Sequence, residues 1–292
     1  MPESTEPTAQ GAKLLGATEI RTLAASLNIA PTKKLGQNFV IDPNTVRRIV
    51  SQAHVCETDV VVEIGPGLGS LTLALLPNVA KVLAVEIDPV LAGALPATIA
   101  LHAPSLKENL MVINADAMRI NELPANPTHL VANLPYNVSV PVVLHFLETF
   151  ASLQEILVMV QAEVADRMAA GPGSKIYGVP SVKMAWYGEV SKAGSVGRNV
   201  FWPAPNVDSG LVRLVRKERG FDPKLRELTF AIVDAAFGQR RKTLRTALGS
   251  VLGAPQNVEN VLREAGVDSG LRGEQLSLQD FVAIAEHAEK VI

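Results

Sequence analysis

Cysteine is nearly absent from this sequence, since Cys56 is the only one. A single cysteine cannot form an internal disulfide and cannot supply a cysteine-rich zinc site. The five histidines show no spacing typical of metal ligands, so we predict that the protein binds no metal. No motif surrounds Cys56, and a structural role is therefore expected for it.

Long apolar runs and a strong net charge are also missing. No uninterrupted apolar stretch approaches the about 20 residues that a membrane span needs. Residues 1–10 are polar, with prolines and acids, and resemble neither a signal peptide nor a transit peptide. We therefore expect a cytoplasmic protein without a membrane partner. The net charge of −2 does not by itself suggest nucleic acid, so any basic surface has to be local.

Short runs rich in valine, isoleucine and leucine alternate with helical segments along most of the chain. Such runs predict strands that are buried on both faces of a parallel sheet. The predicted strands of this sheet are 60–64, 81–85, 110–113, 129–132 and 156–160, and a further strand is predicted at 211–215. Ligands of such sheets bind beyond the carboxyl ends of the strands. The residues that follow each strand are therefore the candidates for a binding site.

A glycine-rich loop, Gly65-Pro66-Gly67-Leu68-Gly69, follows the first predicted strand and precedes a helix. Strand, glycine turn and helix together present backbone N–H groups to a nucleotide-like ligand. The spacing is G-x-G-x-G, because residue 70 is a serine. It differs from the G-x-G-x-x-G spacing of dehydrogenases, and this difference disfavours an NAD-dependent oxidoreductase.

Two acids follow the next predicted strands. Glu86 lies about 20 residues past the glycine loop, where an acid can hold both hydroxyls of a ribose. Asp116 follows the third strand, where it can accept a hydrogen bond from an adenine amino group. Each acid alone is more often a solvated strand-end residue. It is their joint placement after successive strands that predicts a nucleoside site.

The loop Asn133-Leu134-Pro135-Tyr136 follows the fourth strand and carries the predicted chemistry. The Asn133 side-chain carbonyl can accept a hydrogen bond from an exocyclic amine. Leu134 precedes a proline, which favours an extended backbone and leaves its carbonyl available as a second acceptor. Tyr136 offers a ring on which a base can stack. Two acceptors beside an aromatic ring suit a nitrogen nucleophile that must be oriented, whereas the alternative is an ordinary proline turn.

The chain divides into three predicted parts. We predict that residues 1–17 form a disordered extension, that residues 18–219 form an α/β domain, and that residues 220–292 form a small helical domain. Residues 216–249 hold nine basic and four acidic residues, a local charge of +5. Such a patch suits contacts with phosphates, although a solvated helix face explains the charge equally well.

Five motifs together resemble the rRNA adenine N6-dimethyltransferase family, in particular its bacterial small-subunit members. They are Leu35-Gly36-Gln37-Asn38-Phe39, Glu63-Ile64-Gly65-Pro66-Gly67-Leu68-Gly69, Glu86-Ile87-Asp88, Asn133-Leu134-Pro135-Tyr136, and Phe201 with Pro203-Ala204-Pro205 and Val207-Asp208-Ser209. The resemblance covers nearly the whole chain from residue 18 and extends to 237–244. It implies a class I methyltransferase fold, that is, a doubly wound Rossmann-like α/β sheet with a small C-terminal all-helical domain.

The resemblance also implies an activity and a set of site residues. The expected reaction is dimethylation of two adjacent adenosines near the 3′ end of 16S rRNA, with S-adenosylmethionine as donor, on an assembling small ribosomal subunit. We expect a monomer. The predicted catalytic residues are Asn133, Leu134, Tyr136 and Phe201. The predicted donor-contacting residues are Gln37, Asn38, Val40, Gly65, Gly67, Glu86, Ile87, Asp116, Ala117 and Asn133. The predicted RNA-binding residues are Lys33, Lys34, Arg240, Arg241, Lys242 and Arg245.

Three alternatives keep part of this interpretation. A relative of the same fold could dimethylate large-subunit rRNA, although such enzymes are usually more basic. A second relative could serve as an RNA-binding assembly or transcription factor, against which the intact motif at 133–136 argues. A C5-cytosine methyltransferase is excluded, because it needs a cysteine nucleophile and Cys56 precedes the first predicted strand.

Overall fold

The computed structural model describes residues 11–29, 38–135 and 138–290. Its helices are α1 (Ala17–Ser26), α2 (Pro43–Gln52), α3 (Ser70–Leu75), α4 (Pro89–His102), α5 (Ser139–Thr149), α6 (Ala162–Met168), α7 (Val179–Tyr187), α8 (Leu225–Gly238), α9 (Leu244–Ala247), α10 (Gly249–Leu252), α11 (Pro255–Glu264) and α12 (Leu278–Ala288). Its strands are β1 (Phe39–Val40), β2 (Val60–Ile64), β3 (Lys81–Glu86), β4 (Leu110–Asn114), β5 (His129–Asn133), β6 (Glu155–Gln161), β7 (Gly188–Val196), β8 (Phe201–Trp202) and β9 (Ser209–Arg216).

Seven strands form one sheet in the order β4-β3-β2-β5-β6-β9-β7. The five strands predicted from the apolar runs pair in parallel, whereas β9 runs antiparallel to β6. The chain order reverses between β2 and β5, which is where doubly wound sheets bind their ligands. The predicted fold class is confirmed, but the sheet is mixed. Strand β7 was not predicted, because glycine, serine, lysine and alanine make up much of it.

Two helices that flank the sheet begin at an Asp-Pro pair. The Asp42 carboxylate accepts hydrogen bonds from the backbone N–H groups of Asn44 and Thr45 at the start of α2. The Asp88 carboxylate caps α4 in the same way. Proline at the first helical position lacks only an N–H that would have no helical partner. These caps fix where the chain turns from the sheet edge into each helix.

The chain forms two compact units. The first comprises the described residues up to Ala165 together with Lys192–Val215, and it contains most of the sheet. The second, which we call the helical unit, comprises Asp166–Ser191 and the described residues from Arg216 onward. The predicted boundary at 219/220 therefore needs correction, because residues 166–191 belong with the helical unit. Tyr177 and Val182 pack in the same apolar cluster as Leu225 and Phe281.

The predicted disordered extension also needs correction where it is described. Leu15 is 1% exposed and packs in the core of the first unit. The backbone N–H of Lys13 donates a hydrogen bond to the carbonyl of His102 at the end of α4. An apolar side chain at residue 15 gains burial that outweighs the entropy of ordering a short segment. Residues 1–10 lie outside the described ranges.

None of the helices in the described ranges combines the length and the apolarity that a membrane crossing requires.

Candidate active site

A cavity of about 310 Å³ opens at the carboxyl ends of β2, β3, β4 and β5. It lies at the reversal of strand order, and each motif that the sequence analysis singled out beyond these strands contributes to its wall. Its lining comes entirely from the first unit. Most of the wall is apolar, with a few carboxyl and amide groups among the apolar side chains.

The glycine loop forms one wall of this cavity in a conformation that glycine makes possible. Gly65, Gly67 and Gly69 have φ angles of +69°, +57° and +94°, in the left-handed region. A Cβ atom on Gly67 would lie 2.9 Å from the Phe39 ring. The loop therefore passes close to Phe39, and Gly65, Pro66 and Gly67 line the cavity.

Glu86 is held beneath the glycine loop by two backbone donors. Its Oε2 accepts a hydrogen bond from the Gly67 N–H at 3.1 Å, and its Oε1 accepts one from the Asp88 N–H at 3.0 Å. Burial raises the pKa of Glu86 above its ordinary value, and the two backbone donors oppose that rise. Each oxygen keeps a lone pair, so the fixed carboxylate can accept from two adjacent hydroxyls.

Two apolar side chains and one acid lie at the ends of β3 and β4. Ile87 is 57% exposed and Met118 is 38% exposed, although both line the cavity. The Asp116 carboxylate accepts a hydrogen bond from the Met118 N–H at 2.9 Å. Exposed apolar side chains beside a strand-end carboxylate suit a flat, nitrogen-containing ring such as adenine.

The Asn133 amide has a fixed orientation. Its Nδ2 donates a hydrogen bond to the Asn38 carbonyl at 3.1 Å, which leaves Oδ1 as the remaining acceptor of the side chain. The Leu134 N–H donates to the Met159 carbonyl on β6 at 3.0 Å. Within the described residues the Leu134 carbonyl accepts no hydrogen bond. Two acceptors, one from a side chain and one from the backbone, are therefore available at adjacent residues.

The sequence analysis assigned no role to Glu63, which the structure places in the cavity wall. Glu63 is 1% exposed, and its Oε2 accepts a hydrogen bond from the Thr72 hydroxyl at 2.6 Å. Burial raises the pKa of Glu63 to about 8; the Thr72 hydroxyl opposes the rise and the negative charge of Glu86 adds to it. A signal was present in the sequence, because Glu63 interrupts the apolar run 60–64.

The structure brings most of the predicted site residues to one cavity. Those that line it are Asn38, Val40, Gly65, Gly67, Glu86, Ile87, Asp116, Ala117, Asn133 and Leu134. Four predicted residues lie outside the described ranges, namely Lys33, Lys34, Gln37 and Tyr136. Whether those four belong to the site stays a prediction.

Phe201 does not line the cavity. It is 3% exposed and packs in the core of the first unit. The reason is the pairing of β8 with β1, which sets Phe201 opposite Val40 and Trp202 opposite Phe39. Phe201 thus packs beside β1, and its role as a second aromatic contact for the base stays a prediction.

The predicted RNA-binding residues of the helical unit fall into two pairs. Arg240 forms an ion pair with Glu274 at 3.0 Å and also donates to the Lys175 carbonyl. Arg245 forms an ion pair with Glu259 at 3.2 Å. Arg241 and Lys242 are exposed and form no ion pair with any described residue. The structure therefore leaves the second pair available to an external anion.

The doubly wound sheet, the glycine loop and the acid beneath it define a Rossmann-like methyltransferase of class I. No group of three or more histidine, cysteine or acidic side chains in the described ranges is arranged to hold a metal ion. The sequence profile of the family described as ribosomal RNA adenine dimethylase matches residues 30–290. The chain belongs to this family.

Relatives and solved structures agree with this assignment. The chain is 62% identical over 284 residues to ribosomal RNA small subunit methyltransferase A of Thermobifida fusca, covering 97% of this chain and 99% of the relative. A crystal structure of a dimethyladenosine transferase from Plasmodium falciparum is similar, with a TM-score of 0.72 and 25% identity over 86% of this chain and 98% of that one. The 23S rRNA methyltransferase ErmE is also similar, with a TM-score of 0.64 and 28% identity over 86% of this chain and all (100%) of that one.

Proposed function

We propose that this protein transfers methyl groups to the N6 amines of two adjacent adenosines near the 3′ end of 16S rRNA, with S-adenosylmethionine as donor. The observation that carries the proposal is the pair of acceptors, Asn133 Oδ1 and the Leu134 carbonyl, which accept no hydrogen bond from any described residue and lie at a nucleoside-sized cavity. The high identity to a small subunit methyltransferase over its full length supports the choice of rRNA.

The chemistry of the cavity fits the proposed donor. The Glu86 carboxylate would hold the ribose hydroxyls, and Asp116 with Ile87 and Met118 would hold the adenine. The open backbone of Gly65 and Gly67 would pass beside the amino-acid portion. When bound, S-adenosylmethionine supplies a methyl group on a positively charged sulfur, which makes that group open to attack by a nitrogen.

The acceptor amine needs orientation more than it needs a base. The lone pair of an adenine N6 is delocalised into the ring, so the amine is a poor nucleophile. If, before the first transfer, Asn133 Oδ1 and the Leu134 carbonyl each accept one N6 hydrogen, the lone pair localises and points away from both acceptors. After each transfer the methylated nitrogen loses a proton to solvent, and one N6 hydrogen remains for an acceptor in the second transfer. The hydrogen bond from Asn133 Nδ2 to Asn38 keeps the amide from rotating. Holding the two reactants in line supplies most of the acceleration.

The helical unit would contact the RNA backbone. Arg241 and Lys242 are the residues that we propose for direct phosphate contacts, because their charges are not neutralised by described neighbours. Arg240 and Arg245 would add less, because each is already paired with a glutamate. We also propose that the protein acts as a monomer in the cytoplasm, where small subunits assemble.

The direct test is methylation of ribosomal RNA from a strain that lacks N6,N6-dimethyladenosine in its small subunit. The purified protein is incubated with isotope-labelled S-adenosylmethionine and with small subunits, free 16S rRNA or large subunits in parallel. Mass spectrometry of nuclease fragments locates the label. We expect two adjacent dimethylated adenosines near the 3′ end of 16S rRNA, and far slower methylation with the Asn133→Ala variant.

The other outcomes separate the alternatives. Label in large-subunit rRNA would replace our proposal with the activity named for ErmE, the similar structure. Binding of donor and rRNA without any transferred methyl group would favour an RNA-binding assembly factor. Comparison of small subunits with free 16S rRNA shows whether an assembled particle is required.

A further inference from the structure

Among the described residues, the cavity that we assign to the donor is lined by acids and by no cationic side chain. Its acidic lining residues are Glu63, Glu86, Asp88 and Asp116. No lysine, arginine or histidine is among the described residues that line it. Asp88 already caps α4 and Asp116 lies near Arg119 at 3.7 Å, whereas Glu63 and Glu86 are buried. Such a wall favours a ligand that carries net positive charge.

Glu63 differs from Glu86 in how its charge is supported. Two backbone N–H groups donate to the Glu86 carboxylate, one to each oxygen. Glu63 has a single hydrogen-bond partner among the described residues, the fully buried Thr72, and that partner contacts only Oε2. A buried carboxylate with one donor and a second carboxylate nearby is poorly stabilised when ionised. A cation in the adjacent cavity would supply the missing counter-charge.

We propose that Glu63 selects the donor by its charge, losing a proton to solvent when the cationic donor binds and regaining it when the neutral product replaces the donor. This inference rests on the proposed function, because it takes S-adenosylmethionine as the donor. The donor carries one more positive charge than S-adenosylhomocysteine, the product, and the two are otherwise nearly the same size. Selection by charge would therefore make the product bind more weakly than the donor, which would assist release of the product between the successive methyl transfers.

The surroundings of Glu63 leave few other groups that could produce this effect. On β3 the facing charged group is Glu86, and on α3 the facing polar group is Thr72. Strand β5, which is the other neighbour of β2, carries His129 at the opposite, amino end and the uncharged Asn133 at the cavity end. Burial raises the pKa of Glu63 to about 8, which favours the protonated form of Glu63 in the ligand-free protein near neutral pH.

Calorimetry with the full-length protein, without RNA, tests the proposal. Binding of S-adenosylmethionine and of S-adenosylhomocysteine is measured at pH 7 in buffers of different ionisation enthalpy, which gives the number of protons released. We expect the donor to release up to about one proton more than the product. Donor affinity should rise by up to about tenfold per pH unit between pH 6 and pH 8, and product affinity should change much less.

Glu63→Gln is the matched variant, because it keeps the shape and an acceptor for Thr72 but cannot ionise. The α-amino group of the ligand titrates in the same range, so each ligand is compared between wild type and variant. We expect the variant to lose the additional proton release and most of its preference for the donor. Thr72→Val should act in the same direction. It should lower the affinity for the donor on the order of tenfold at pH 7 and leave the affinity for the product unchanged.

Two results would overturn the inference separately from the proposed function. If both ligands bind wild type and release equal numbers of protons, or if Glu63→Gln keeps the preference for the donor, then Glu63 does not select by charge. If neither ligand binds wild type, the proposed function itself fails. If Glu63→Gln does not fold, Thr72→Val still tests the inference. Selection by charge predicts that Thr72→Val loses affinity for the donor alone, whereas a packing role predicts an equal loss of affinity for both ligands.

Discussion

The charged side chains of the cavity and those of the helical unit are stabilised in different ways, by backbone N–H groups in the first and by side chains of opposite charge in the second. Glu86 accepts hydrogen bonds from two N–H groups of its own fold. Arg240 and Arg245, in contrast, are held by ion pairs with Glu274 and Glu259, and each of these two arginines is exposed. The first arrangement fixes a charge in one place, and the second leaves it free to exchange one partner for another.

The difference indicates what each region can recognise. A buried carboxylate with fixed donors discriminates between ligands that differ by one hydroxyl or one charge, because an unmatched buried group costs about 1–3 kcal/mol or more. Exposed ion pairs contribute about 0–1 kcal/mol each and are screened by salt. Single substitutions in the cavity should therefore have large effects, whereas the effect of the basic residues should be spread over several of them.

The largest effect should come from Asn133→Ala. Removing one acceptor that orients the reacting amine should lower kcat by about 10²–10³-fold, by analogy with the loss of one preorganised hydrogen-bond partner of a transition state. Stability should fall by only about 1 kcal/mol, because one hydrogen bond to Asn38 is lost. Single-turnover methylation and chemical denaturation measure the two quantities.

Asn257→Ala provides a matched control, since Asn257 is an exposed asparagine on α11 of the helical unit. It should leave both quantities nearly unchanged. A kcat of Asn133→Ala within a few-fold of wild type would contradict the mechanism. It would also contradict the expectation that single substitutions in the cavity have larger effects than those in the helical unit.

The next effect concerns stability as a function of pH. The pKa of Glu63 is raised from 4.5 to about 8 in the folded state, so the folded protein keeps a proton that the unfolded chain has lost. This contribution to stability is fully present below about pH 4.5 and is lost as the pH rises toward 8. Between pH 5 and pH 8, ligand-free wild type should lose on the order of a few kcal/mol relative to Glu63→Gln.

Denaturant unfolding at several pH values measures this loss, and the exposed Glu57→Gln serves as control. If wild type and Glu63→Gln lose equal stability between pH 5 and pH 8, then Glu63 ionises in the folded protein as easily as an exposed acid does. The contrast between a buried, poorly supported carboxylate and the exposed charges of the helical unit would then disappear.

The sequence alone predicted the parts of the cavity that depend on local pattern. Apolar runs identify the five parallel strands, and the turns that follow them must meet at one edge of the sheet. Gly65, Glu86, Asp116 and Asn133 therefore converge as expected. Local pattern was enough because each of these residues lies at the carboxyl end of a strand or within two residues of it, and the direction of the strand is fixed.

The features that the sequence did not predict depend on partners far away in the chain. Phe201 packs inward because β8 pairs with β1, about 160 residues earlier. Arg240 and Arg245 are paired with acids that lie outside the basic segment in which they were counted. The raised pKa of Glu63 depends on its burial and on Glu86 of the neighbouring strand. Neither periodicity nor motif spacing contains this information.

A smaller effect is expected when the acid beneath the glycine loop is removed. Glu86→Ala should weaken S-adenosylmethionine binding by about 10–150-fold, because a hydrogen bond to a charged group contributes about 1.5–3 kcal/mol. Isothermal calorimetry measures the affinity, and circular dichroism checks the fold. Glu108→Ala is the control, since the Glu108 side chain is 87% exposed and its one ion pair with a described residue is to Lys107 at 3.8 Å. Unchanged affinity in folded Glu86→Ala would remove Glu86 from the donor site.

The smallest effects should distinguish the two pairs of basic residues within the helical unit. Arg241→Gln/Lys242→Gln and Arg240→Gln/Arg245→Gln remove the same charge, but among the described residues the second double variant alone breaks ion pairs. For the first, the slope of log affinity for rRNA against log salt should flatten by about two units, one for each lost phosphate contact. Its thermal stability should not change.

For the second double variant the order of effects should be reversed. Loss of the ion pairs with Glu274 and Glu259 should cost about 0–1 kcal/mol of stability each, and loss of the Arg240 hydrogen bond to Lys175 adds to this. The salt slope should flatten by less than one unit, because these arginines are already partly neutralised by their glutamates. Donor affinity should stay normal in both variants, since neither pair lines the cavity. Equal salt slopes for the two double variants would mean that RNA displaces the glutamates. The two arginines would then be paired with Glu274 and Glu259 only in the absence of RNA.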